Sequence, residues 1–254
     1  MSKIAVICNT MNEYHKAKMG LGVTLSNAGK DYDLFIWDNG SKNDRIKDLV
    51  KSFEPKFLHY SEENVGNPVA YNQMLLRVKE QGYDYVAMIA PDIVLPNNWL
   101  ALSESIYSRC KLKGFLGYDW GYRQERNLEM IEQVPLQHSD NVYGCWFFST
   151  KLLDKVGFIN EEYKMYGRWD SDWNFRINAS GYKSYYLPPI EMLKSIHLTS
   201  SWKDNSTEYR KFKDKWLRHN TEVEKKELLK YAKSNNFYIA PPKKIEELEN
   251  YMCQ

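Results

Sequence analysis

No apolar run in the 254 residues approaches the roughly 20 that a membrane span requires. The opening run Ile4-Ala5-Val6-Ile7-Cys8 stops at polar Asn9-Thr10, short of the roughly 7–15 apolar residues of a secretory core. A cytoplasmic protein is expected. Charge of one sign is lacking too. Lys and Arg number 35 against 33 Asp and Glu, a net +2, so no global field draws the chain to nucleic acid or an anionic bilayer. A mild basic excess after Lys203 reads as a solvated helical face. Cysteine is scarce: Cys8, Cys110, Cys145 and Cys253 show neither paired spacing nor Cys-x-x-Cys. Free buried thiols in a reducing compartment are expected, not disulfides or zinc. No Gly-x-x-x-x-Gly-Lys-Ser/Thr occurs, and no Gly-x-Gly-x-x-Gly follows the first strand, which excludes P-loop enzymes and argues against dinucleotide dehydrogenases. Neither His-Glu-x-x-His nor Gly-x-Ser-x-Gly appears. With 43% hydrophobic and 27% charged residues the chain is an ordinary globular one, without internal repeats.

Aromatic residues are plentiful at 15%, including 19 Tyr and 8 Trp, a supply that suits sugar stacking and a bulky core equally. Short apolar runs at 4–8, 34–37, 56–60 and 85–90 alternate with helical stretches at 13–28, 42–53 and 69–81. Four strands with three intervening helices predict a parallel sheet with right-handed crossovers, an α/β fold. The second half is less regular. Strands are expected at 114–122, 140–148 and 182–187, and helices at 150–156, 173–179, 206–234 and 243–251.

Ligands of such sheets bind beyond the carboxyl ends of the strands. Those ends hold Asn9-Thr10-Met11-Asn12, Asp38-Asn39-Gly40-Ser41, Asn64-Val65-Gly66-Asn67 and Asp92, all polar, which argues for a nucleotide site. Asp92 directly follows a hydrophobic strand. It suits either a turn or cap, or a divalent cation bridging two phosphates. Asp170 and Asp172 open a helix, where one can do structural work while the other acts as a base; Asp172 is the structural choice. His197, flanked by Ile196 and Leu198, suits a core position or a ligand.

In order and spacing these segments resemble the family 2 glycosyltransferases with the GT-A fold, nearest the rhamnosyltransferase-like branch, over residues 3–202. Asn9-Thr10-Met11-Asn12 is similar to Pro-Thr-x-Asn, and Trp37-Asp38-Asn39-Gly40-Ser41 to Val-Asp-Asp/Asn-Gly-Ser. Asn64-Val65-Gly66 with Ala70 and Asn72 matches Asn-x-Gly-x-x-x-Ala-x-Asn. Ala90-Pro91-Asp92, followed by Pro96, falls where the family places Asp-x-Asp and its following proline. Gly157-Phe158-Ile159-Asn160-Glu161 resembles Gly-Gly-Phe-Asp-Glu. Tyr166-Gly167 with Asp170, Asp172 and Arg176 resembles Tyr-Gly-Glu-Asp-x-Asp-x-x-x-Arg, and His197 with Ser200 or Ser201 a closing His-x-x-x-Ser. Two departures stand out. Ala90 replaces the first Asp of Asp-x-Asp, and Trp169 replaces the Glu of Glu-Asp with Arg168 inserted before it.

The resemblance implies a GT-A domain at 1–202, with a nucleotide-sugar half near 1–100 and an acceptor half near 101–202, and a helical extension at 203–254. It implies inverting hexosyl or pentosyl transfer from a nucleotide diphosphate sugar to an acceptor hydroxyl. Thr10, Asn12, Asp38, Asn64, Gly66 and Asn72 would bind the nucleotide. Asp92 and His197 would hold a divalent cation, Mn²⁺ or Mg²⁺, and Asp170 would be the base. Trp146, Trp169 and Trp202, with Trp173 beside them, would meet the acceptor, with packing the favoured role for at least two of the four. A surface glycan or lipid-linked precursor is the default acceptor, with a modified nucleic-acid base as an alternative. A sugar-nucleotide binding protein without turnover is the reading from another class. A nucleotidyltransferase would want a glycine-rich basic loop at 9–18, which is absent.

Overall fold

Seven successive buried residues, Ile4–Thr10, form strand β1 in the middle of the parallel half of a large sheet. The computed structural model describes residues 2–119, 128–188, 191–198 and 207–245. After β1 come helix α1 (Tyr14–Ser26), β2 (Asp33–Asp38), α2 (Asp44–Ser52), β3 (Phe57–Tyr60), α3 (Asn67–Glu80), β4 (Tyr85–Ile89), β5 (Ile93–Val94) and α4 (Trp99–Arg109). Then follow β6 (Leu116–Tyr118), β7 (Leu128–Ile131), β8 (Val134–His138), β9 (Cys145–Ser149), α5 (Lys151–Val156), α6 (Trp169–Ala179), β10 (Tyr185–Leu187), β11 (Ile196–His197) and α7 (Thr207–Ser234).

Among the described residues nine strands share one sheet in the order β3-β2-β1-β4-β9-β6-β10-β8-β7. The run β3-β2-β1-β4 is parallel, and β9 enters antiparallel to β4. Parallel strands covered on both faces read as continuous apolar runs, which is how β1, β2 and β4 were legible. Among the described residues no helix is long and apolar enough to cross a membrane. Cys8, Cys110 and Cys145 are free and buried.

Three departures from the expected elements have local causes. The strand expected from Asp140 begins only at Cys145, because the Asn174 amide takes both the Val142 N–H, at 2.9 Å, and the Val142 carbonyl, at 3.0 Å. Helix α6 starts at Trp169 rather than Trp173, so Asp170 and Asp172 lie inside its first turn. Lys243–Ile245, expected to open a last helix, runs without helical structure along α3, where the Gln73 side chain donates to Lys243 O at 2.8 Å and accepts from Ile245 N at 3.2 Å. The remainder of that expected helix, 246–251, lies outside the described residues.

Several glycines make close approaches, among them Gly20 and Gly157. Gly20 on α1 lies against the Pro91-Asp92 turn, where a Cβ would stand 2.3 Å from Pro91 O. At Gly157, with φ +72°, a Cβ would stand 1.8 Å from Ile239 O. The chain after α7 thus returns to the domain, with Phe158 N donating to Ile239 O at 3.0 Å and Ile239 N to Val156 O at 3.2 Å.

Candidate active site at the carboxyl edge of the sheet

The parallel register sets Thr10 beside Asp38 at the ends of β1 and β2. Asp38 is fully buried and organises this edge. Thr10 Oγ1 donates to its Oδ2 at 3.2 Å, Ser41 Oγ donates to the same oxygen at 2.6 Å, and Ser41 N reaches Oδ1 at 2.9 Å. Ser41 Oγ in turn accepts from Asn12 N at 2.8 Å, and Asn12 Oδ1 from Lys42 N at 2.8 Å. Asn39 Oδ1 accepts from Val65 N, and Asn64 Oδ1 from Gly66 N, which stands just before α3. Thr10, Asn12, Asp38, Asn64 and Gly66 therefore share one edge. Asn72 does something else. It is buried, and its amide binds the Ile159 carbonyl and N–H and the Glu161 carboxylate at 2.8–2.9 Å, fixing the loop after α5 against α3.

Asp92 and His197 are 105 positions apart in sequence and meet in space because β5 pairs antiparallel with β11. Leu198 N donates to Asp92 O at 2.7 Å, and His197 Nε2 lies 3.5 Å from Asp92 Oδ2. Burial pushes the Asp92 carboxyl above its usual range, and His197 opposes that shift. Beside them a cleft of about 370 Å³ is lined by His15, Lys16, Met19, His197 and Leu198. Among the described residues no group of three or more His, Cys, Asp or Glu side chains is arranged to hold a metal. Asp92 and His197 form a two-donor set of carboxylate and imidazole, which fits Mn²⁺ or Mg²⁺ only when phosphate oxygens complete the coordination.

The first turn of α6 separates its two carboxylates by environment. Asp172 is buried, receives Arg176 Nε at 2.8 Å, and accepts from the Tyr163 and Tyr231 hydroxyls at 3.3 and 2.9 Å. It is an ion-pair partner rather than a helix cap. Asp170 is half-buried, and its Oδ1 accepts from Ser171 N at 2.9 Å. Burial raises its carboxyl above the ordinary range, and this outweighs the opposing pull of Arg168.

The loop leading into α6 is held from α7. Asn220, fully buried, accepts from Lys164 N and donates toward the carbonyls of Lys164, Tyr166 and Gly167, all at 2.7–2.9 Å. Glu224 lies 3.3 Å from Arg168, and Lys213 Nζ stands 4.9 Å from the centre of the Tyr166 ring. The charge of the 206–234 stretch suggests only a solvated helix. Asn220, Glu224, Glu227 and Tyr231, spaced i, i+4, i+7 and i+11, are the signal of its inward face.

Trp146 and Trp169 are 5% and 6% exposed and cross edge to face at 5.4 Å; Trp146 also meets Trp173 at 6.4 Å. A stacking platform needs an open ring face, and these rings spend most of theirs on one another. Trp202 lies outside the described residues.

This architecture has solved counterparts. The chain is similar to the crystal structure of S. aureus TarS, with a TM-score of 0.55 and 15% identity over 78% of this chain and 37% of that one. It is similar to GalNAc-T7 with UDP, GalNAc and Mn²⁺, with a TM-score of 0.57 and 12% identity over 78% of this chain and 44% of that one. A shorter TarS structure, residues 1–349, gives 0.53 and 15% over 77% and 60%. The fold is of the GT-A glycosyltransferase type. The chain spans 37%, 44% and 60% of the lengths of these three chains, less than two thirds of each. No protein-family model and no curated protein matches the sequence.

Proposed function

We propose that this chain is an inverting glycosyltransferase of the family 2 kind, nearest the rhamnosyltransferase-like branch, moving a hexosyl or pentosyl group from a nucleotide diphosphate sugar to an acceptor hydroxyl. The observation that carries this reading is the gathering of the Thr10–Asp38–Ser41 network and the Asp92–His197 contact at one edge of a GT-A type sheet. A structural neighbour, GalNAc-T7, carries UDP, GalNAc and Mn²⁺ on a fold of this type. Thr10, Asn12, Asn64 and Gly66 line the nucleotide pocket. Asp38 sets their geometry from beneath, and Asn72 positions the neighbouring loop. Trp146 and Trp169 build the floor under the acceptor, with Trp202 as a candidate platform. Residues 203–254 are an extension to this domain.

The acceptor oxygen attacks the anomeric carbon while that carbon's bond to the diphosphate oxygen breaks, and the leaving group departs with the electron pair. Asp170 takes the hydroxyl proton, a role suited to a half-buried carboxylate with a raised pKa. Asp92 and His197 would hold a divalent cation, which when bound neutralises charge on the departing diphosphate. The acceptor class is a surface glycan or lipid-linked precursor, and the protein works in the cytoplasm, where its buried thiols stay reduced.

The test is a thermal-shift screen of nucleotide diphosphate sugars, followed by product analysis with candidate acceptors and the best donor. Donor-dependent product with an inverted anomeric centre supports the reading. Tight donor binding without product on any acceptor favours a binding protein, consistent with Ala90 and Trp169 standing where the family keeps carboxylates. No stabilisation by any nucleotide overturns both.

A further inference from the structure

Three of the four residues from Met165 to Arg168 hold left-handed backbone: Met165 at φ +48°, Gly167 at +79° and Arg168 at +70°. For Met165 and Arg168, which carry a Cβ, that conformation has a steric cost and persists only where surrounding structure imposes it. The loop touches the candidate site on two sides. A Cβ on Gly66, at the nucleotide edge, would stand 2.9 Å from Met165 N. Two residues after Arg168 comes Asp170, the proposed base, in the first turn of α6. What imposes the loop's path comes from α7. Asn220, itself fully buried, accepts from Lys164 N and donates toward the carbonyls of Lys164, Tyr166 and Gly167, all at 2.7–2.9 Å. One turn further along, Glu224 lies 3.3 Å from Arg168. A buried amide is a costly way to seat a helix, and the hydrogen bonds of this one go to the loop.

We propose that Asn220 is a positioning residue for Asp170: by holding the 164–168 loop in its left-handed path, it fixes the first turn of α6 against the nucleotide edge. This rests on the transferase reading above. A base takes the acceptor proton only within hydrogen-bond reach of the attacking hydroxyl, and a misplacement of about 1 Å costs roughly 10²-fold in rate. Without the Asn220 amide four backbone groups of the loop lose their partner, and Met165 and Arg168 relax toward ordinary backbone. The start of α6 moves with them, because Asp172 N donates to Arg168 O at 2.9 Å in the turn that carries Asp170. Gly66 is held independently. Its N–H donates to Asn64 Oδ1 at 2.9 Å, and its carbonyl accepts from Ala70 N at 3.2 Å in α3. Loss of the clamp therefore acts on turnover and spares nucleotide binding.

The experiment is a double-mutant cycle in the full chain over Asn220→Ala and Asp170→Asn. Turnover is followed as nucleoside diphosphate released from UDP-, GDP- and dTDP-hexoses, with water or added methyl glycosides as acceptor. Affinity for the same nucleoside diphosphate is measured by calorimetry. Asn220→Ala is expected to lower kcat about 10²-fold, with the diphosphate Kd within about threefold of wild type. In the Asp170→Asn background the same change should cost less than about threefold, because residues that act through one group do not lose its effect twice. Asn220→Asp keeps the shape and the acceptor for Lys164 N but drops the amide donors; it should show the same pattern, and it serves if Asn220→Ala does not fold. Tyr231→Phe, which loosens α7 from Asp172 and leaves the loop bonds in place, should keep the wild-type kcat. A normal kcat in folded Asn220→Ala overturns the proposal. Equal losses with and without Asp170, a matching loss in Tyr231→Phe, or failure of both Asn220 variants to fold overturn it as well, making Asn220 a support of the fold alone. If Asp170→Asn turns over normally, the proposal falls with the assignment of the base, and the transferase reading stands. If wild type releases no nucleoside diphosphate from any donor, the transferase reading itself has failed, and the proposal with it.

Discussion

The Tyr231 hydroxyl, near the end of α7, donates to Asp172 Oδ1 at 2.9 Å in the first turn of α6. One hydrogen bond thus joins the late helix to the carboxylate that holds buried Arg176. Because Arg176 also donates to the Val156 and Phe158 carbonyls, the cluster ties α5, α6 and α7 together.

Breaking this cluster should cost stability. Removing one partner of a buried ion pair leaves the other charge uncompensated, so Asp172→Asn is expected to destabilise the fold by about 3–5 kcal/mol. That exceeds the roughly 0.5–2 kcal/mol of a lost helix cap. Tyr231→Phe leaves the ion pair intact and should cost about 1–2 kcal/mol. Urea denaturation of both variants checks the ranking, and a reversed order would return Asp172 to a capping role.

Asp170 should behave in the opposite way. Its raised pKa means that the folded state binds its proton more tightly than the unfolded chain does, so its contribution to stability is present at low pH and lost as pH rises through the folded value. Asp170→Asn should therefore be no less stable than wild type at pH 7, while turnover falls by about 10²–10⁴ with donor binding preserved. In wild type the acidic limb of kcat/KM should lie above the ordinary carboxylate range, because the base works only when ionised. A normal rate for Asp170→Asn would place the base elsewhere.

Asp38 is the buried centre of the nucleotide edge, with both carboxylate oxygens occupied by Thr10 and Ser41. Asp38→Ala strands those donors, and is expected to weaken nucleotide diphosphate binding by about 1–3 kcal/mol. Because the carboxylate acts through its neighbours, Thr10→Val should reproduce part of the loss. Calorimetry showing full affinity for Asp38→Ala would leave the residue a turn-former alone.

The first four strands, their helices and the polar loops at their ends were legible because each apolar run and each turn residue acts locally. The pairing of Asp92 with His197 came only from the resemblance, not from the residues themselves. What escaped was set by pairing between distant segments. Ile93–Val94 and Ile196–His197 are two-residue strands, too short for any periodicity, and only their mutual register brings the imidazole to the carboxylate. The hairpin of β7 and β8 likewise lacks a continuous apolar run. On α7, the contacts of Asn220 and Tyr231 depend on where the loop before α6 lies, which composition does not encode.

His59 offers a test of the parallel half of the sheet that is independent of ligand. It lies at the end of β3 with its ring 4.1 Å from that of Trp37, and burial, helped by Arg77, lowers its pKa to about 4. A depressed folded pKa means stability that is present above the unfolded value, near 6.5, and lost as pH falls toward 4. Allowing for partial exposure, the loss between pH 7 and 5 should be about 1–2 kcal/mol. Denaturant midpoints at the two pH values measure it, and His59→Gln should flatten the dependence. An equal acid loss in that variant would assign the effect to other groups.

Asp92 and His197 present one carboxylate oxygen and one imidazole nitrogen 3.5 Å apart, and Ala90 supplies nothing further. Such a pair holds a divalent ion weakly by itself and better once phosphate oxygens join it, so cation and nucleotide diphosphate should bind with positive coupling. Titrating Mn²⁺ by its paramagnetic resonance signal, with and without the diphosphate, should show tighter binding in its presence. Asp92→Ala or His197→Ala should abolish that coupling, with the fold intact by circular dichroism. Chelation should lower turnover by roughly 10²-fold, within the several kcal/mol a bound cation contributes to such a transition state. Full turnover in excess EDTA, with no Mn²⁺ bound to the diphosphate complex, would remove the cation from the reaction.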